Sequence, residues 1–504
     1  MKLKEITDKI DCEIIGDNAA EIADISYDSR NIKKGGGVLF AAIPGEHVDG
    51  HAFIKAAADN GAAAVLAQRP TEGIEIPQVI VKDIRAALSR ISDIFYGEPS
   101  ASLVMVGVTG TNGKTTTTYL LESIFREAGF NPGVIGTINY RYNGSTFAAP
   151  HTTPQSPELH KILKEMLEAG VTHCIMEVSS HSLEQKRVED VRFRAGVFTN
   201  LTHDHLDYHR TMEEYFRCKS ILFRHLKESG GKSVINIDDE WGRILKKDFP
   251  LSITFSLRQG GDIYPEEYAL LQGSTEAIIS VPTGAVKVSS NLVGEYNLHN
   301  ILSAVGISYA LGIGNEAIGR GISALKRVPG RLEKIESNGP KVIRAYVDYA
   351  HTDDALQRAL EALNRIAKGR IITVFGCGGN RDRLKRPKMG AISARLSDIT
   401  IVTSDNPRDE EPLEIIKEIE AGIKVEKLSD GLEGARGYLV IPDRTEAIRT
   451  AVNIARNGDT ILVAGKGHED YQIIKGRKYH FDDFEVLNEA IKELCPPKDA
   501  AGAV

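Results

Sequence analysis

The sequence predicts an α/β protein of three domains built on mainly parallel sheets. Three observations carry this. At about 150 residues per domain, 504 residues imply roughly three domains. Short apolar runs alternate with glycine or polar turns and helical patterns through most of the chain, and such continuous apolar strands form parallel sheets covered on both faces. Two joints divide the chain: Tyr96–Ser102, where Gly97 and Pro99 end a helical pattern, and Lys326–Arg331, KRVPGR. The segments are 1–98, 99–329 and 330–504.

In the middle segment the apolar runs are LVMVGVTG, THCIMEVSSH, AGVFTNLTHDH and KSVINIDDE. In the last they are IRAYVDYAH, IITVFGCGGNRD, ITIVTSDNPRD and TILVAGKGHED. Ligands of parallel sheets sit beyond the carboxyl ends of the strands. Those ends hold most of the unusual polar residues here.

Composition narrows the function. An apolar fraction of 42% and a charged fraction of 26% describe an ordinary globular chain rather than a disordered one. With 62 Lys and Arg against 69 Asp and Glu, the net charge of −7 speaks against a large nucleic-acid surface. No run approaches the ~18 apolar residues of a membrane span, and the opening MKLKEITDKIDCEII has no signal-peptide core. A cytoplasmic protein with no nucleic-acid or membrane partner is expected. Five scattered cysteines (Cys12, Cys174, Cys218, Cys377, Cys495) fit neither a disulfide framework nor a zinc cluster. The end, Pro496–Val504, reads as a polar tail.

The first chemical signal is GTNGKTT: Gly110, Thr111, Asn112, Gly113, Lys114, Thr115 and Thr116. It follows an apolar run and opens a helical pattern over Thr117–Ala128. A glycine-rich turn into a helix N-terminus aims N–H groups and the positive dipole end at an anion. Lys114 would reach the terminal phosphates and the Thr115 hydroxyl a Mg²⁺ ion. The strict phosphate-loop pattern wants glycine at the position of Val108. At the next strand ends stand Glu177, then His203, Asp204, His205, Asp207 and His209 within THDHLDYH. A carboxylate and an imidazole facing a phosphate loop could hold a second divalent ion. His203 and His209 read as hydrogen-bonded scaffold.

GTNGKTT, MEVSSH, THDHLDYH with a lysine fourteen residues after His205, GEYNLHN, VPGR, DYAHT and DNPR occur in one order. Together they resemble the Mur ligase family, the ATP-dependent amide-forming enzymes of peptidoglycan precursor synthesis, from Tyr27 to Gln472. The resemblance implies a small N-terminal α/β domain for a UDP-sugar peptide, a central phosphate-loop ATPase domain and a C-terminal Rossmann-like, amino-acid-binding domain. It also implies phosphoryl transfer from ATP to a carboxylate, then attack by an amine on the acyl phosphate. By position, Thr115, Glu177 and His205 resemble the Mg²⁺ shell, with Lys114 catalytic. Lys219 matches the lysine that becomes carbamylated by CO₂; on the residues alone it reads as an ordinary snorkelling helix lysine. Asn297 and Asn300 resemble residues around the adenine, and Arg331 and His351 residues that reach the nucleotide. Asp353 stands where the family reads proline, a change of loop stiffness.

For the UDP-sugar peptide the resemblance points to Tyr27, Ser29, Glu46, His47, Val48, Thr152, Thr153, Ser179, Gln185 and Arg187. His151 occupies a place where asparagine is usual. For the amine, Arg381, Asp405, Asn406, Pro407, Arg408, Gly465 and Glu469 end neighbouring strands. Two guanidinium groups and two carboxylates around one crevice are complementary to meso-diaminopimelate, which carries two ammonium and two carboxylate groups. Lysine lacks the distal carboxylate and would leave Arg408 buried and unpaired. Four other readings stay open: a lysine-adding ligase on the same nucleotide, a folate ligase, a phosphate-loop ATPase switch that forms no amide, and a non-catalytic scaffold whose loop no longer turns over ATP. A monomer that closes its domains around ATP is expected.

Overall fold

The computed structural model describes all residues except 46–47, 338–341, 427, 434–435 and 495–504. Glu46, His47, Cys495, the polar tail and the side chain of Asp207 therefore lie outside the described residues. The chain divides into two compact units, Met1–Phe255 with Ser303–Ile313, and Ser256–Leu302 with Gly314–Val504.

The first unit holds two sheets. The smaller has the spatial order Glu13–Ile15, Gln78–Ile80, Ala64–Ala67, Val38–Ala41, Asp24–Ser26, and only its first pair is antiparallel. The larger runs Ile253–Phe255, Lys232–Asn236, Phe193–Phe198, Val104–Thr109, His173–Glu177, Pro132–Ile135, Asn139–Tyr142, Ser145–Ala148. Its first six strands are parallel and the last two form an antiparallel meander. The central strand Val104–Thr109 is flanked by the strands ending at Glu177 and Phe198, so three carboxyl ends lie side by side, as the alternating pattern predicts. Met105, Val106, Val108, Cys174, Ile175 and Met176 are fully buried, which gives the near-continuous apolar reading of a doubly covered sheet.

Helices of this unit start where the sequence signals them. The Asp83 carboxylate accepts from the N–H groups of Arg85 and Ala86 to cap Ile84–Phe95. Thr211 caps Met212–Ser229, and Gly230, at φ +71°, ends it. Buried Asp93 and His160 face each other at 3.3 Å where Ile84–Phe95 meets Ser156–Glu168.

The second unit holds a seven-stranded sheet in the order Glu333–Glu336, Arg344–Asp348, Thr460–Ala464, Ile371–Phe375, Ile399–Val402, Arg436–Val440, Gly431–Glu433. The inner five strands are parallel and both edges antiparallel. Two apolar clusters cover its faces, one around Leu360, Phe375 and Ile419, the other around Val347, Ile448 and Leu487. An antiparallel sheet of Tyr264–Leu270, Thr275–Val281 and Gly284–Ser290 belongs to the same unit, as does the hairpin Tyr471–Ile474 with Arg477–His480. Asp353 is the first residue of the helix Asp353–Ile366, capped by Thr352. Proline is at home there, but so is an acid facing the helix dipole. The substitution thus trades backbone rigidity for charge at a helix start, rather than loosening a loop.

Candidate active site

The phosphate loop is braced from the neighbouring strand end. The Asn112 N–H donates to Asn200 Oδ1 at 2.9 Å, and Thr199 Oγ1 donates to the Asn112 carbonyl at 2.6 Å. Gly110 has φ +148°, and a methyl group there would overlap Thr199 Oγ1. Gly113, at φ +89°, turns the chain into the helix Lys114–Glu127, which begins three residues before the helical pattern read from the sequence. A Val at position 108 is accommodated because it lies within the buried strand, ahead of the turn.

Two lysines meet at one oxygen. Lys114 Nζ donates to the Gly110 carbonyl at 3.0 Å and to Thr111 O at 2.9 Å. Lys219 Nζ donates to the same Gly110 oxygen at 2.9 Å and lies 4.5 Å from the Tyr215 ring centre. Lys219 is 1% exposed, so it is no snorkelling surface lysine. Burial, then repulsion from Lys114, pushes its ammonium well below the ordinary lysine range, against a smaller pull from Asp204.

Glu177 ends its strand fully buried, with Oε1 accepting from the Thr137 N–H at 3.0 Å and Oε2 from Thr137 Oγ1 at 2.9 Å. Thr137 Oγ1 also meets Thr152 Oγ1 at 3.0 Å. Thr153 Oγ1 donates to the Glu177 carbonyl and the Ser179 N–H to Thr153 Oγ1. His205 sits in the left-handed region (φ +54°) before the helix Leu206–His209, half exposed, with its ring edge-on to His181. Oxygen donors at Thr115 and Glu177 and an imidazole at His205 suit Mg²⁺; an ammonium at Lys219 does not. The lysine fits such a shell only as an anion. His209 is buried scaffold as read, its Nε2 2.8 Å from Ser180 Oγ. His181 is pushed down to about 4 by burial and the neighbouring His205 and His209.

Arg187 is held as a fork: Nε and Nη2 donate to Gln185 Oε1, and Nη1 to the Thr153 carbonyl at 3.0 Å. Arg85 lies beside it, donating to Gln185 Oε1 and to Pro44 O. Arg187 is thus no solvated surface arginine. Burial, with Arg85 next, lowers its pKa, so a counter-anion would be welcome here. Tyr27 and Ser29 flank Asp28, whose carboxylate caps the short turn Ser29–Asn31, and Val48 is exposed. The His151 carbonyl accepts from Tyr140 OH at 2.6 Å, so position 151 serves through its backbone.

In the second unit, Asn297 Nδ2 donates to Val293 O and Asn300 Nδ2 to Asn297 Oδ1. Arg331 lies over the Tyr349 ring at 4.7 Å, and the exposed His351 turns Nδ1 to Tyr349 O. The strand ends expected to meet the amine are organised by a residue that sequence reasoning missed. Lys466, fully buried, places Nζ 3.2 Å from Asn406 Oδ1, 3.6 Å from Glu469 Oε2 and 3.7 Å from Asp405 Oδ1. Asn406 Nδ2 donates to Glu469 Oε2 at 2.8 Å. Gly465 (φ +120°) lets Asp405 approach; a Cβ there would stand 2.6 Å from Asp405 Oδ2. Pro407 is buried, and Arg408 follows at φ +53°, its Nη1 donating to Gly379 O at 2.7 Å. Arg408 is half-buried, not buried as expected, because that turn carries its head over the Gly379 carbonyl. Arg381 is exposed. Thr137, Arg85 and Tyr215 were missed as well, since nothing local marks a residue whose partner is 40 or 100 positions away. Lys466 had a signal: a lysine at an apolar strand end between two glycines.

The chain matches the Mur ligase family, catalytic domain over residues 21–96, the Mur ligase middle domain over 108–308 and the Mur ligase, glutamate ligase domain over 330–467. It is 45% identical to the UDP-N-acetylmuramoyl-L-alanyl-D-glutamate–2,6-diaminopimelate ligase of Geobacter metallireducens, across 98% of this chain and 99% of the relative. It is 43% identical to the enzyme of the same name from Clostridium tetani, across 98% and 100%. A solved structure of a ligase of that name superposes with a TM-score of 0.70 at 30% identity, across 98% of this chain and 99% of the other.

Proposed function

The chain belongs to the Mur ligase family, and from that premise we propose that it joins meso-2,6-diaminopimelate to the D-glutamate γ-carboxylate of UDP-N-acetylmuramoyl-L-alanyl-D-glutamate, with ATP cleaved to ADP and phosphate. The observation that carries this reading is full-length similarity of 41–45% to ligases bearing that reaction's name. Residues 1–98 take the UDP-sugar peptide, 99–329 ATP and 330–504 the amino acid. The protein works as a cytoplasmic monomer in peptidoglycan precursor synthesis.

A carboxylate is a poor electrophile, and phosphorylation turns one of its oxygens into a leaving group. The loop Gly110–Thr116 cradles the phosphates with its N–H groups and the helix dipole. Lys114, now folded onto its own loop carbonyls, swings to the transferring phosphate. Thr115, Glu177, His205 and a carbamate on Lys219 would hold Mg²⁺, which would supply neutralisation of phosphate charge. The depressed pKa favours the carbamate: CO₂ adds to the neutral amine, forming an N–C bond and releasing one proton. Thr137 orients the Glu177 carboxylate. Asn297, Asn300, Arg331 and His351 serve the nucleotide. Tyr27, Ser29, Glu46, His47, Val48, Thr152, Thr153, Ser179, Gln185 and Arg187 hold the UDP-peptide.

In the amine crevice, Asp405 and Glu469 meet an ammonium group of diaminopimelate, while Arg381 and Arg408 meet its carboxylates. Lys466 keeps the two acids from repelling each other before the substrate arrives. The amine attacks the acyl phosphate, and phosphate leaves from the tetrahedral intermediate. The test is phosphate release with Mg²⁺-ATP and the UDP-dipeptide, adding meso-diaminopimelate or L-lysine in parallel. Release with diaminopimelate alone and a matching new amide by mass supports the reading. Release with lysine instead removes the specificity, and release with ATP alone removes the ligase.

A further inference from the structure

Three helices beside the phosphate loop bring together a donor set that the reaction does not use. Glu184 ends the helix Ser180–Glu184, His209 ends Leu206–His209, and Cys218 lies on Met212–Ser229. One ligand atom of each lies within 4.8 Å of the other two. His209 Nδ1 stands 3.6 Å from Glu184 Oε2. Zinc–ligand bonds of about 2.0–2.3 Å in a tetrahedron put neighbouring ligand atoms roughly 3.3–3.8 Å apart, so that edge is already at the right length.

The ring of His209 is fixed from behind. Its Nε2 meets Ser180 Oγ at 2.8 Å and its face stacks on Tyr215 at 5.0 Å. That arrangement aims Nδ1 at the cluster and is the outer support that metal-binding histidines ordinarily have. Cys218 and His209 are buried, while the Glu184 side chain is 41% exposed and provides the way in from solvent. Thiolate, imidazole and one carboxylate select zinc-class cations over Mg²⁺.

We propose that Glu184, His209 and Cys218 form a binding site for a thiophilic divalent cation of the zinc class, completed by water, and that its occupation inhibits the enzyme. The inhibitory half rests on the ligase reading; the binding half does not. Each ligand adjoins a residue assigned to the reaction: Glu184 precedes Gln185, His209 follows His205 by four positions, and Cys218 precedes Lys219. A cation that pins the three helices together therefore holds those residues in one arrangement.

Co²⁺ is the probe. Titrated into the full chain after chelator treatment, it should give a thiolate-to-cobalt charge-transfer band that saturates at one equivalent. Zn²⁺ should erase the band and excess Mg²⁺ should not. Cys218→Ser should abolish it, while Cys12→Ser and Cys377→Ser keep it. Because Cys218 is buried, the exposed Glu184→Gln provides a second test: the Zn²⁺ dissociation constant should rise at least tenfold by competition with a colorimetric chelator. Zn²⁺ at saturating Mg²⁺ should slow phosphate release by the unmodified enzyme and slow Glu184→Gln less. No band, a band that survives Cys218→Ser, or unchanged zinc affinity in Glu184→Gln overturns the site. A normal band with no inhibition overturns the regulatory half, and a zinc site in a protein without ligase activity overturns only the ligase reading.

Discussion

The phosphate-loop region and the amine crevice solve opposite electrostatic problems. At the loop, the amino groups of two lysines converge on the single carbonyl of Gly110. In the crevice, one buried ammonium sits among two carboxylates and an amide oxygen. The first region has positive charge in search of anions and stores that tension in Lys219. In the second, the ammonium already offsets part of the carboxylate charge before any ligand arrives. One site is completed by what binds it, while the other is preorganised for a zwitterion. This fits a polyanionic nucleotide on one side and a substrate with equal numbers of amines and acids on the other.

The sharpest way to break the contrast is Lys219→Ala. If the amine matters as a carbamate, phosphate release should fall by about three orders of magnitude, a typical loss of transition-state electrostatics. Short carboxylic acids should restore part of it, and normal activity unaffected by them would sink the carbamate. Next comes Lys466→Met, which leaves Asp405 and Glu469 uncompensated. Breaking a buried charge set costs ~3–5 kcal/mol, so the KM for diaminopimelate should rise at least about a hundredfold while the KM for ATP moves little; equal changes in both would mean a folding defect.

Arg408→Ala should lower the preference for diaminopimelate over lysine by about tenfold in kcat/KM. Full burial would predict more, but this guanidinium is half exposed and tied to Gly379 O. Thr137→Val removes one charge-assisted hydrogen bond to Glu177, worth ~1.5 kcal/mol, and should slow turnover about tenfold with the UDP-peptide KM unchanged. The last effect is on stability rather than on turnover. His181 and His468 are pushed down to about 4 and about 3, burial first, with nearby cations adding. The unfolded chain binds protons on these rings below pH 6.5 while the folded chain does not, so stability falls as pH drops from 6.5. Each ring contributes at most ~1.4 kcal/mol per pH unit, down to its folded value. Denaturation midpoints that stay flat between pH 6.5 and 4.5 would contradict this.

The parallel strands and the loop were legible because both rest on local pattern: apolar runs followed by glycine, at recognisable spacing. The strand-end and loop positions of Lys114, Glu177 and Asp405 were legible for the same reason. Thr137, Arg85 and Tyr215 were not, since each acts through a partner far away in sequence. The exposure of Arg408 also escaped, because it depends on a positive φ that DNPR does not announce. Cysteine spacing reads only donors grouped along the chain, so it gave no sign that Glu184, His209 and Cys218 come together from three helices.

The turn at Gly330 has a further consequence. Its φ is +62°, a methyl group there would collide with the His468 N–H, and the Tyr349 N–H donates to its carbonyl. Gly467 presses equally close on Tyr349. Arg331 and His351 on one side, and Gly465 and Glu469 on the other, therefore belong to a single moulded part with no slack between its halves. On the proposed assignment, grafting a new loop at 465–469 to take a different amine would also disturb the nucleotide side, whereas Arg408 and Arg381 stand outside that glycine contact.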